Sequence, residues 1–284
     1  MEYKKGFKTK PYQIQVDGSV RFTDGTTNNL FANQITCEAY GYKYDVTSGV
    51  CRAYDVQYFN LQEIEKKSNT QLVGNKHKIN EGTLDTLVSG IKNETLGNNG
   101  NCFISGEENV IDRDINNATV LGKMGKATHE GEVVMSGGGF NSEAGLLQYS
   151  ILQVSNKTTT ATEDGIVLYI DNDSNKGQIT LPANSITTYE IWLSGLVTGG
   201  DGTAGDYETY EYHGALRTKN DGTITHNAKI SRLLGRTGSL GAKTIDTSTA
   251  YTLSINVVGL SSTNISWHAV VKLHINKTNL VEIT

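Results

Sequence analysis

The residues best able to do chemistry cluster mid-chain. Glu107, Glu108, Asp112 and Asp114 fall close together, and Glu130 and Glu132 follow. Paired carboxylates can supply the acid and the base that cleave a glycosidic bond. These six lie in short polar turns with no aromatic-lined cleft nearby, so they read as solvated turn residues. The histidines are scattered: His77 and His129 fall in turns, and His213, His226, His268 and His274 in strand-like runs. His268 and His274, at i and i+6 of one strand, stand about 20 Å apart, too far to share a metal. Asp171-Asn172-Asp173 opens like a calcium loop, but Lys176 occupies the glycine position and no glutamate closes it. Cys37, Cys51 and Cys102 lack metal-ligand spacing. No phosphate loop or nucleophile elbow occurs. The expectation is a chain without catalytic residues, metal ligands or cofactor.

Binding chemistry remains. Tyr207, Tyr210 and Tyr212, beside Asp201 and Asp206, could present a glycan-binding face, because tyrosine stacks on sugar rings and offers a hydroxyl. The same tyrosines could serve as core and subunit-contact residues, and that structural reading is preferred. Lys4, Lys5, Lys8 and Lys10 could form a docking arm for an acidic partner, against the plainer reading of a solvated terminus.

The elements that must position these groups are strands. Among 284 residues Gly is abundant (31) and Pro nearly absent (2), and the net charge is −5. That balance favours short strands and turns and gives no basic footprint for nucleic acid. No run reaches the ~18 apolar residues of a membrane span, and no signal-peptide core follows the first lysines. A reducing compartment with free thiols is therefore expected, although Cys37 and Cys51 could meet across a hairpin. The nearest helical candidate, Leu61 to Lys67, is under two turns long.

Tyr12, Ile14 and Val16 alternate before Asp17-Gly18, and Val20 and Phe22 alternate after it, which predicts a hairpin. A second hairpin is expected around Thr47-Ser48-Gly49, between Tyr40-Tyr42-Tyr44 and Val50 to Tyr54. Gly74, Gly90, Gly106, Gly122 and Gly138 then recur every 16 residues. The blocks before them read LVSG (87–90), FISG (103–106), TVLG (119–122) and VMSG (134–137), the last slipped by one. Ile79, Thr95, Ile111 and Ala127 mark a second strand per repeat. This is a stacked β-solenoid or β-roll pattern. Rungs this thin cannot stand as a lone chain, so a homotrimer closing over the apolar seam is inferred.

From residue 148 onward, strands are expected at 149–155, 166–170, 177–181, 187–197, 206–217, 223–233, 250–258 and 264–276, with a turn at Asp164-Gly165. Ile265, Trp267, Ala269, Val271, Leu273 and Ile275 share one dry face. Tyr210, Tyr212 and Leu216 share another, as do Ile224 and Ile230. The resulting fold class is all-β: an N-terminal β-hairpin anchor (1–70), a short trimeric β-roll shaft (71–147) and a C-terminal jelly-roll-like β-sandwich head (148–284).

The join Ala127-Thr-His129-Glu-Gly131-Glu-Val-Val-Met-Ser136-Gly137-Gly-Gly-Phe140 resembles the last rung of the Gly/Ala-rich repeats of phage fibre proteins. The segments GGDGTAGDYETYEYHGALRTK (199–219) and NISWHAVVKLHINK (264–277) resemble the terminal sandwich of such proteins. The resemblance implies a homotrimer in the virion, assembled in the host bacterial cytoplasm and attached to other virion proteins through its N-terminal segment. A tail, collar or head fibre, with a host surface glycan as ligand, fits it. The alternatives are a receptor-binding or polysaccharide-degrading tail spike, and a capsid decoration protein.

Overall fold

The computed structural model describes residues 2–15, 17–53, 69–140, 142–159 and 165–283. Val16, Tyr54, the stretch Leu61 to Lys67 and Asp164 lie outside them. The chain divides into two compact units, residues 1–69 and 70–284. Among the described residues no helix is long and apolar enough to cross a membrane.

The first unit holds two hairpins. Strands β1 (Lys10–Ile14) and β2 (Val20–Thr23) pair antiparallel. Gly18, at φ +78°, supplies the left-handed turn conformation, and the Asp17 carboxylate accepts the Ser19 amide. A short helix α1 (Gln34–Ala39) follows, its first turn capped by Asn33, whose side chain accepts the Thr36 amide at 2.9 Å. Strands β3 (Lys43–Asp45) and β4 (Val50–Arg52) form the second hairpin. Cys37 on α1 and Cys51 on β4 are disulfide-bonded, which corrects the expectation of free thiols for this pair. Val20, Phe22 and Ala32 complete the small core, with Tyr40 edge-on to Phe22.

The second unit begins as a β-solenoid of about four turns. Its long strands are β5 (Gln71–Asn75), β7 (Leu87–Ile91), β9 (Phe103–Glu107), β11 (Thr119–Lys123) and β13 (Val133–Gly137), stacked in parallel. The short strands are β6 (Lys78–Ile79), β8 (Glu94–Thr95), β10 (Val110–Ile111) and β12 (Lys126–Ala127), stacked likewise. Inside lie Val88, Ile104, Val120 and Val134 from one wall and Ile111 and Ala127 from the other. Cys102, a free buried thiol, fills a position between Thr86 and Ala118 in the same stack.

Two ladders explain the 16-residue period. Gly74, Gly90 and Gly106 have φ of +115°, +110° and +130°, and a Cβ on each would lie 1.9, 2.0 and 1.8 Å from the carbonyl oxygen of the glycine one turn ahead. Only glycine satisfies both the backbone bend and the contact. The bend turns the Gly106 and Gly122 carbonyls toward buried amides: Asn93 Nδ2 donates to Gly106 O at 3.0 Å, and Asn109 Nδ2 to Gly122 O at 2.9 Å. Asn93 Oδ1 accepts the Asn109 amide, and Asn109 Oδ1 accepts the Gly125 amide. Each asparagine thus satisfies backbone groups of the next turn that have no water to meet them. The last turn departs from the expected register. Gly122 pairs with Ser136, not Gly138, so this turn is two residues shorter than the others.

Ten strands follow: β14 (Leu147–Thr158), β15 (Ile166–Val167), β16 (Tyr169–Ile170), β17 (Ile179–Thr180), β18 (Ser185–Gly200), β19 (Tyr207–Thr218), β20 (Ile224–Arg236), β21 (Lys243–Asp246), β22 (Thr252–Val257) and β23 (Thr263–Lys277). The long strands run in the order β20-β19-β18-β23-β14, and β14 pairs antiparallel with β13. Solenoid wall and terminal sheet are therefore one continuous sheet of 11 strands, counting β16 beside β14. A smaller sheet, β15-β22-β17 with β21 against β22, covers its inner face. Between them lie Trp267, Tyr189, Ile191, Leu193, Val271 and Leu273 from the large sheet and Leu253, Ile255 and Val257 from the small one. The dry face expected for 265–275 is the centre of this core. The pairings describe two unequal layers; a jelly-roll order is a finer statement than they make. Ile224 and Ile230, expected on one face, are separated by a β-bulge in the β19–β20 register: Ile224 packs on the core while Ile230 is 66% exposed.

Candidate functional site

Four of the six carboxylates picked from the sequence pair with a lysine. Glu107 meets Lys123 at 3.0 Å, Glu108 meets Lys92 at 2.6 Å and Asp112 meets Lys126 at 2.9 Å. Each pair joins neighbouring turns of the solenoid. Asp114 accepts a hydrogen bond from Asn98, also one turn away, and Glu130 pairs with Lys176 at 2.8 Å. The Lys92 hydrogen bond holds the Glu108 carboxyl below its ordinary value. A carboxyl kept ionised in this way cannot deliver a proton near neutral pH, so Glu108 is unsuited to act as a general acid.

Glu132 corrects the solvated-turn reading outright, being 1% exposed. Its Oε2 accepts the amides of Thr128 at 2.7 Å and His129 at 3.0 Å and contacts His129 Nδ1 at 3.3 Å. Burial pushes this carboxyl up, but the His129 hydrogen bond, then Ser150 and the Thr128 amide, bring it below the usual range. His129 Nε2 in turn accepts the Thr180 amide at 2.9 Å and lies 2.8 Å from Thr180 Oγ1. Hydroxyl, imidazole and carboxylate thus stand in the order of a nucleophile, a base and its orienting group. They border a cavity of about 320 Å³ that Lys126, Glu143, Gln148 and Lys277 also line.

The proton balance decides what this cluster does. The single lone pair of Nε2 already takes the Thr180 N–H, which fixes the tautomer with hydrogen on Nδ1. The ring cannot collect the hydroxyl proton without breaking that bond and leaving a backbone donor unpaired. The arrangement is a clamp that ties the last solenoid turn to β17. Sequence reasoning named His129 and Glu132 but had no signal for Thr180, 51 residues from His129.

The tyrosines do not form one face. Tyr207 pairs with Leu196 and is exposed, whereas Tyr210 pairs with Leu193 on the opposite face and packs against the core. Tyr212 is 3% exposed and stacks on Tyr210, and burial pushes its hydroxyl up to about 12. Asp201 and Asp206 sit in the β18–β19 connection, where backbone hydrogen bonds to Ser262 and Val197 fix the loop. Glu208, near them, is a buried latch: it holds Lys243 and the Leu240 amide and accepts the Tyr210 hydroxyl. Of the N-terminal lysines, Lys4 donates to Ala39 O and lies over the Tyr40 ring, and Lys10 lies over Tyr3. Lys5 and Lys8 are exposed. Among the described residues no group of three or more His, Cys, Asp or Glu side chains could hold a metal.

No protein-family model matches the sequence, and no curated protein matches it. Among solved structures, the tailspike protein of Acinetobacter baumannii phage AM24 shares 10% identity over 74% of this chain and 50% of its own, with a TM-score of 0.25. The tailspike of Acinetobacter phage vB_ApiP_P1 gives 8% identity over 74% of this chain and 49% of its own, with a TM-score of 0.25. Tailspike gp49 of A. baumannii bacteriophage Fri1, a capsular polysaccharide depolymerase, gives 10% over 72% and 44%, with a TM-score of 0.26. The chain spans about half the length of the tailspikes it matches or less. Superposition at this level assigns neither fold nor role.

Proposed function

We propose that this chain is a non-enzymatic structural subunit of a bacteriophage particle, a homotrimeric fibre-like appendage that displays its terminal β region on a short solenoid. One observation carries the reading. Among the described residues the solenoid core has eight fully buried apolar side chains, about two per turn, six of them alanine, cysteine or valine. So thin a core gains little from burial, and a single copy leaves its outer wall in water. Bundling like chains would add the apolar burial that one copy lacks. The sequence likeness of 127–140, 199–219 and 264–277 to phage fibre proteins supports the virion setting. The lysine-paired carboxylates support a mechanical rather than a hydrolytic role.

The mechanism is multivalent display: three terminal regions on one stiff stem multiply a weak individual affinity through effective concentration. The N-terminal unit, braced by Cys37–Cys51, serves as the attachment segment in this reading. Labelling the protein on purified particles and imaging them tests the assignment. Density on tail, collar or head fibres is the expected result; an even coat over the capsid would favour a decoration protein. Incubation with host capsule tests the non-enzymatic part, since release of oligosaccharide would overturn it.

A further inference from the structure

Cross-strand partners share a face, so the pairings trace one surface across the whole second unit. The column Val73, Ser89, Ser105, Leu121, Met135, Tyr149, His274, Thr188, Ala215 runs unbroken from β5 to β19. It lies on the side of the sheet away from both the solenoid interior and the small covering sheet. Among the described residues of 70–284 no strand pairs over it.

This outer face is unusually apolar for a solvated surface. Phe103 (37% exposed), Met135, Ile186, Trp192 (52%), Leu196 and Ile230 all belong to it, and together they are about half exposed. At about 200 Å² for a full-sized apolar side chain, they leave roughly 600 Å² in water. Spread from β9 to β20, this sum compares with the about 300–600 Å² of the largest patch on a typical monomer. With the polar residues between them, the face exceeds the roughly 800 Å² that each partner contributes to a stable interface. Three opposite charges on it pair within the chain, Lys272 with Glu190, Arg232 with Glu211 and Lys123 with Glu107, while Lys157 is exposed at its margin. With most of its charge compensated internally, the face lets a like copy approach without strong repulsion and offers a charged partner little field to recognise.

Resting on the homotrimer reading above, we propose that this outer sheet face is the surface by which copies of the chain pack on one another around a common three-fold axis. The face extends along the direction in which the turns stack. Three parallel copies turned inward would bring the three faces together along that axis. Trp192, with Lys272 lying over its ring at 5.3 Å, sits near the centre of the broad part and is the principal anchor.

The full chain tests this directly. Trp192→Glu and Phe103→Glu should weaken self-association roughly thirtyfold each, the effect of a central interface residue, and shift the mass from about 92 kDa toward about 31 kDa. Leu84→Glu, on an exposed solenoid turn outside this sheet, should leave the mass unchanged. A readout needing no substitution is acrylamide quenching. Trp267 is buried in any case, so strong shielding of the tryptophan emission means Trp192 is covered. If the parent chain is trimeric, its emission is readily quenched and both variants remain trimeric, the interface lies elsewhere and this inference falls while the proposed function stands. A parent chain of about 31 kDa would bring down both.

Discussion

Replacing Gly106 with alanine would put a methyl group 1.8 Å from Gly122 O and 2.8 Å from its carbonyl carbon, inside the 3.0 Å that real Cβ contacts keep. The obstacle is backbone, held in register by the β9–β11 ladder, so no side chain can rotate away. Relief requires the two turns to separate by more than 1 Å, from a normal spacing of about 4.8 Å, which breaks the local ladder bonds and opens the Asn109–Gly122 contact. Two lost hydrogen bonds at about 1 kcal/mol each add to a backbone strain of about 1–3 kcal/mol at φ +130°. Gly138 isolates the strain: its φ is +127°, but a Cβ there meets nothing within 4 Å. Gly106→Ala should therefore cost about 3–5 kcal/mol and Gly138→Ala about 1–3 kcal/mol. Urea unfolding followed by circular dichroism, at one fixed protein concentration, measures both. Equal costs would refute the claim that close turn-to-turn contact, and not merely an unusual φ, selects glycine in the solenoid.

Asn109→Leu keeps the volume but leaves Gly122 O and the Gly125 amide without their side-chain partner, while Asn93 Oδ1 keeps the backbone amide of residue 109; a loss of about 2–5 kcal/mol in the same assay is expected, and a neutral result would dismiss the amide ladder. Glu132 and Glu208 both have carboxyls held below their ordinary value of 4.5, so their stabilisation is complete above about pH 4.5 and drains away as pH falls through the lower folded values. The urea midpoint should fall on acidification below pH 4.5, and Glu132→Gln should shallow that fall; a midpoint that rises in acid would contradict the sign. Reducing Cys37–Cys51, a loop of sequence separation 14, should destabilise the first unit by about 3 kcal/mol and leave unfolding of residues 70–284 unchanged, as limited proteolysis with and without reductant can show.

What could be read from the chain alone follows from how local each determinant is. The Gly74–Gly90–Gly106–Gly122 ladder and the Ile79–Thr95–Ile111–Ala127 column were legible because each turn repeats the same local demand. The companion ladder of Asn93 and Asn109 has the same spacing but is lost in a sequence crowded with asparagine. The long alternation from Ile265 to Ile275 marked β23 because one face is wholly dry. β21 leaves no such mark, since Lys243–Asp246 offers only Ile245 to a core. The helix Gln34–Ala39 was hidden as well: at six residues its stability comes from the Asn33 cap and the Cys37 cross-link rather than from an apolar stripe. Simple alternation puts Ile230 on the face of Ile224, but a single bulge reverses it. The Glu132–His129–Thr180 clamp and the divided tyrosines depend on strands far apart in sequence, and no local pattern encodes such a meeting.

The mass of the full chain in solution, by sedimentation equilibrium or light scattering, tests the central claim most directly. A species of about 92 kDa, three copies of the 30.8 kDa chain, is the expected result. A folded species that stays near 31 kDa at every concentration would show that the thin solenoid needs no neighbours and would contradict the account.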